Sequence, residues 1–103
     1  MSSNLQISAP YVPRFYHADA VVTGSYAEVL ARSVVPEKRV NLILQNQDST
    51  LAIFVRLSAI GDTNSGGILI AAGATLSLDS YKGAVLAMAP SGSPTLHVAY
   101  ATV

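Results

Sequence analysis

The side chains able to do acid–base or metal chemistry are few: two histidines, His17 and His97, in different parts of the chain, six carboxylates, and no cysteine. A cupin-type metal centre needs several ligands converging inside a barrel, and this supply is too thin for one. His97 falls on the Thr95/Ala99 face of an alternating segment, which predicts an exposed or interface imidazole rather than a ligand or general base. Asp62-Thr63-Asn64-Ser65-Gly66-Gly67 opens like a calcium loop, with oxygen side chains at alternating positions and glycine sixth. Its fifth position is Gly66, however, and Gly73 stands where the bidentate glutamate is needed, so a plain turn is the better reading. No G-x-S-x-G elbow is present, and Pro90-Ser91-Gly92-Ser93-Pro94 reads as a proline-bracketed hairpin loop. No glycine-rich phosphate loop and no pair of carboxylates with divergent environments occurs. The expectation is a non-enzyme without a cofactor. One small cluster, Asp79, Tyr81 and Lys82, has the composition of a glycan- or receptor-binding loop; its simpler reading is a hairpin turn packed by its own tyrosine.

The elements that would carry these residues are strands. Val40, Leu42 and Leu44 alternate with Asn41, Ile43 and Gln45; Ile53, Val55 and Leu57 with Phe54, Arg56 and Ser58; Leu76 and Leu78 with Thr75, Ser77 and Asp79; Leu96, Val98 and Tyr100 with Thr95, His97, Ala99 and Ala101. A period of two is what a strand with one buried face requires. Gly67 to Ala71 and Ala84 to Ala89 are continuously apolar, as in strands covered on both faces, one cover being another subunit. Tyr26 to Ser33 fits two helical turns or a strand, and strand is favoured because a lone helix that short is marginal. Gly-, Pro- and Asn/Asp-rich turns separate these runs at intervals of about ten residues, which predicts an antiparallel β-sandwich or small jelly-roll-like barrel.

Residues 1–24 lack this alternation and carry Pro10 and Pro13, so they read as an extended N-terminal arm ahead of a β domain at 25–103. Burying Tyr11, Phe15 and Tyr16 is worth about 1.5–3 kcal/mol each, whereas fixing the backbone of such an arm costs about 15–30 kcal/mol. Ordering it takes backbone pairing, further contacts from Val12 and Leu5, or a partner. Tyr11, Val12, Phe15 and Tyr16 are therefore expected at an assembly interface, the arm adding a strand to a neighbour's edge; the alternative folds it back over its own sandwich.

Composition points the same way. Half the residues are apolar and 12% are charged, about half the charged fraction of an ordinary soluble domain. From Leu57 to Val103 the formal charges are Asp62, Asp79 and Lys82 alone. Zero net charge supplies no field for free nucleic acid, and no apolar run approaches the ~20 residues of a membrane-spanning helix. The N-terminus lacks a secretory pattern, so a soluble chain made inside the cell is expected. A surface this poor in charge predicts cover by neighbours at outward apolar positions such as Ile43, Phe54 and Leu69.

Arg39-Val40-Asn41-Leu42-Ile43-Leu44-Gln45-Asn46, Ile53-Phe54-Val55, Gly66-Gly67-Ile68-Leu69-Ile70, Gly73-Ala74-Thr75-Leu76-Ser77-Leu78-Asp79, Tyr81-Lys82-Gly83-Ala84-Val85-Leu86-Ala87, the Ser91-Gly92 turn and Leu96-His97-Val98 follow one another in an ordered succession. This succession resembles a small structural protein of tailed-bacteriophage virions. The resemblance implies a capsid decoration or cement role, or another head, neck or tail component. With the charge-poor surface, the expected partners are its own copies, as a trimer, and the major capsid or other virion proteins; the location the resemblance implies is the virion, after synthesis in the host cytoplasm. A receptor- or carbohydrate-binding knob is the alternative.

Overall fold

A computed structural model describes residues 14–33, 39–58, 67–79 and 81–102. They contain eight strands: β1 (Arg14–Val21), β2 (Ala27–Leu30), β3 (Arg39–Asn46), β4 (Ile53–Ser58), β5 (Ile68–Ile70), β6 (Thr75–Leu78), β7 (Ala84–Met88) and β8 (Thr95–Thr102). No helix occurs among the described residues. The strands form two four-stranded sheets ordered β1-β8-β3-β6 and β2-β7-β4-β5. Every pairing is antiparallel, and β1 with β8, β2 with β7, β3 with β6 and β4 with β5 nest inside one another. The chain thus folds as one long hairpin rolled into two sheets, the jelly-roll form of the expected β-sandwich.

The core lies between the sheets. Leu42 and Leu44 of β3 and Leu96 and Val98 of β8 face Ile53 and Val55 of β4, Ile70 of β5 and Val85 and Ala87 of β7, all buried. In β3, β4 and β8 these are inward positions that the alternation specified, except that Val40, read on the face of Leu42 and Leu44, lies on the outer face beside Ala101. The ambiguous Tyr26–Ser33 stretch supplies β2, and the two continuous apolar runs supply β5 and β7. In β7 only Val85 and Ala87 are fully buried, Leu86 and Met88 being half-exposed on the other face.

The N-terminal boundary differs from expectation. Residues 1–13, with Tyr11 and Val12, lie outside the described residues, but Arg14 onward is not a separate arm. β1 pairs with β8 over eight positions, from Arg14 opposite Thr102 to Val21 opposite Thr95. This ladder supplies the backbone pairing that three aromatic rings could not replace. β1 is an edge strand whose residues are nearly all exposed, so burial imprints no alternation on its sequence. Past β1, Val22 enters the core, its N–H donating to Pro94 O at 2.9 Å.

Two polar side chains tie the sheets together. Asn46, fully buried at the end of β3, donates from Nδ2 to Leu51 O (2.8 Å) and Ile70 O (3.0 Å) and accepts the Asp48 N–H at Oδ1 (3.0 Å). At the other end of β3, Arg39 is 2% exposed; its guanidinium donates to the carbonyls of Ala31, Tyr81 and Gly83 and lies over the Tyr100 ring. Arg39 reaches inward because β3 carries a bulge: the register with β8 shifts between Val40 and Ile43, and Asn41 takes the left-handed conformation at φ 55°. An extra residue there reverses which side chains face the core.

Candidate functional site

The outer faces of the two sheets carry the residues expected at contacts. On the β1-β8-β3-β6 sheet, directly paired residues share a face. Phe15 therefore stands beside Ala101 and Val40, and His17 beside Ala99 and Ile43. Ala99 and Ala101 are buried, while Phe15 is 71% and Ile43 40% exposed. The result is an alanine floor between raised apolar side chains. Tyr16 points the other way and stacks on Tyr100, ring centroids 5.0 Å apart.

On the β2-β7-β4-β5 sheet, Leu69, Phe54 and Met88 align across three strands. Leu69 is 57% exposed and Phe54 half-buried. Beside this row Arg56 lies over the Tyr26 ring at 5.2 Å, and Tyr26 packs against Gly67, where a Cβ would strike its hydroxyl. The three outward positions named from sequence thus divide: Ile43 belongs to one outer face, Phe54 and Leu69 to the opposite one.

At the polar end of the first face lies a cluster that the sequence did not reveal. Asp19 is directly opposite His97, which is opposite Gln45; His17 sits diagonally from His97. His97 Nδ1 donates to Asp19 Oδ1 at 2.6 Å, and His97 Nε2 is 3.0 Å from His17 Nδ1. The one sequence signal was His17-x-Asp19, two polar side chains on one strand face; their partner depends on a register across almost the whole chain. Among the described residues, no group of three or more His, Asp or Glu side chains converges as a metal centre.

The Asp79, Tyr81 and Lys82 cluster is placed at the turn between β6 and β7. Tyr81 packs its ring against the core and donates its hydroxyl to Ala84 O at 2.6 Å, which holds its own turn; Asp79 and Lys82 are exposed. Asp62 and its neighbours to Gly66 lie outside the described residues. In the loop after β3, Asp48 Oδ1 accepts the N–H groups of Thr50 and Leu51 at 2.8 and 2.9 Å. These bonds, that of Thr50 first, hold the Asp48 carboxyl below its ordinary 3.8.

No protein-family model matches the chain, and no curated protein matches it. Among solved structures, it is similar to a subunit from Bacillus endospore appendages, described as a family of disulfide-linked pili: TM-score 0.69, 15% identity, covering 88% of this chain and 84% of that one. At that identity the likeness concerns the fold alone.

Proposed function

We propose that this chain is a non-enzymatic structural subunit that self-associates without covalent cross-links through its two outer sheet faces. The observation that carries the reading is the division of exposed apolar side chains between opposite faces: Phe15 and Ile43 on one, Leu69 with Phe54 on the other. Contiguous exposed apolar surface rimmed by polar residues marks interaction sites, and a chain poor in charge offers little to keep such faces apart. Two patches on opposite sides of a flat sandwich stack into an open array; a closed trimer needs its two patches inclined to one another. The similar pilus subunit supports a structural role in an assembly, but with no cysteine this chain cannot use disulfide links, and packing must hold its contacts.

For the setting, the resemblance to tailed-phage virion proteins favours a capsid decoration protein, made in the host cytoplasm and carried on the particle. A second setting, a surface appendage, is favoured by the pilus-like fold and by the opposed faces. Electron microscopy of the purified chain, alone and mixed with capsids stripped of their decoration, tests both. Decoration predicts periodic density on the shells; an appendage subunit predicts filaments from the chain alone and bare shells. A chain that stays monomeric in both samples would overturn the reading.

A further inference from the structure

We propose that His17 and His97 form a two-imidazole site for a divalent transition metal, Zn2+ in particular, oriented by Asp19 and clamping edge strand β1 to β8. The register puts the two histidines on one sheet face as diagonal neighbours, close enough for their rings to meet. His17 Nδ1 and His97 Nε2 are 3.0 Å apart; an ion bonded to each at about 2.0–2.1 Å subtends about 91–97° at that separation. That suits octahedral or square-planar coordination directly, and an opening of about 0.3 Å gives a tetrahedral angle.

On His97 the proton is already placed for it. His97 donates a hydrogen bond from Nδ1–H to the Asp19 carboxylate, which leaves Nε2 as the ligating nitrogen and tethers the ring, the carboxylate–histidine–metal arrangement of natural sites. The Nδ1···Nε2 contact between the rings is held by one shared proton. On binding, the ion replaces it: His17 takes the tautomer protonated at Nε2, its Nδ1 lone pair becomes a ligand, and no net proton is released from the neutral pair. Each ring must also swing so that the two lone pairs meet off the line joining the nitrogens. His17 is exposed and the His97 side chain 28% exposed, so both have room. Water completes the coordination, since among the described residues no third ligand joins. Gln45 and Thr95 flank His97, and Asp79 lies just past the end of β6, its carbonyl accepting the Asn41 N–H. Imidazole ligands select Zn2+, Cu2+ or Ni2+ over Mg2+ or Ca2+.

Calorimetric titration of the purified chain with Zn2+ tests this, with amide spectra confirming that each variant is folded. The expected result is saturable binding of one ion per chain, lost in His17→Ala and in His97→Ala, and weakened about 10–100-fold in Asp19→Ala. Asp79→Asn, in the turn after β6 and outside the cluster, keeps the parent affinity, and Mg2+ does not compete. Absence of saturable binding at millimolar Zn2+, or unchanged affinity in His97→Ala, overturns the proposal.

Discussion

Replacing Asn46 with leucine removes the amide that joins the two sheets at one end of the sandwich. Three groups lose a partner: the Ile70 carbonyl in the buried interior, and the Leu51 carbonyl and Asp48 N–H at its margin. A buried polar group stripped of its hydrogen bond costs about 1–3 kcal/mol, and the marginal pair recover part of this from water. Leucine returns about 1 kcal/mol through added apolar burial. The net loss is about 3 kcal/mol, a large share of the roughly 5–15 kcal/mol that holds a domain of this size. Urea unfolding of the variant should show a lower midpoint at unchanged slope, and the thermal midpoint should fall by about 12–24 °C. Asn46→Asp is expected to be worse, because a carboxylate then faces the two carbonyl oxygens. A loss below about 1 kcal/mol for Asn46→Leu would refute the bridging role.

At Gly92 the backbone sits at φ +69° and a Cβ would meet Leu51 Cδ1 at 2.5 Å, whereas Gly73 at φ +74° faces open space. Calorimetric melting should therefore rank Gly92→Ala below Gly73→Ala, which bears only the left-handed penalty of about 1–2 kcal/mol; the reverse order would remove the steric argument. Arg39→Met should destabilise by about 3 kcal/mol or more, since bonds from a charged donor to the carbonyls of Ala31, Tyr81 and Gly83 are lost. Arg39→Lys should recover only part of this in the same denaturation assay. Asp48 titrates lower folded than unfolded, so its contribution is complete above pH 3.8 and is lost as pH falls through the lowered folded value. Amide protection at Thr50 and Leu51 should drop over that acid range, and Asp48→Asn should abolish the drop.

The two-residue period placed the cores of β3, β4 and β8 because burial on one face writes itself into the side chains. It failed at β1, whose exposed edge leaves no such imprint, although eight backbone pairs with β8 hold it. The nested pairing was illegible for a related reason: joining the first strand to the last is a long-range choice that local pattern does not encode. Ile43, Phe54 and Leu69 were readable as outward, but their division between opposite faces depends on which sheet each strand joins. No sequence pattern marks Arg39 as buried, and only the Asn41 bulge turns it inward. His17 and His97 looked unrelated for want of the β1–β8 register.

Sedimentation velocity over a wide concentration range, on the parent chain and on Ile43→Lys, Leu69→Lys and their double variant, tests self-association through the outer faces most directly. Exposed substitutions of this kind change subunit stability by about 0.5 kcal/mol or less, so each variant should remain folded. The account predicts concentration-dependent growth of the parent beyond any small closed oligomer, shortened assemblies in either single variant, and a folded monomer in the double variant. A parent that sediments as a monomer throughout, or a double variant that assembles like the parent, would contradict it.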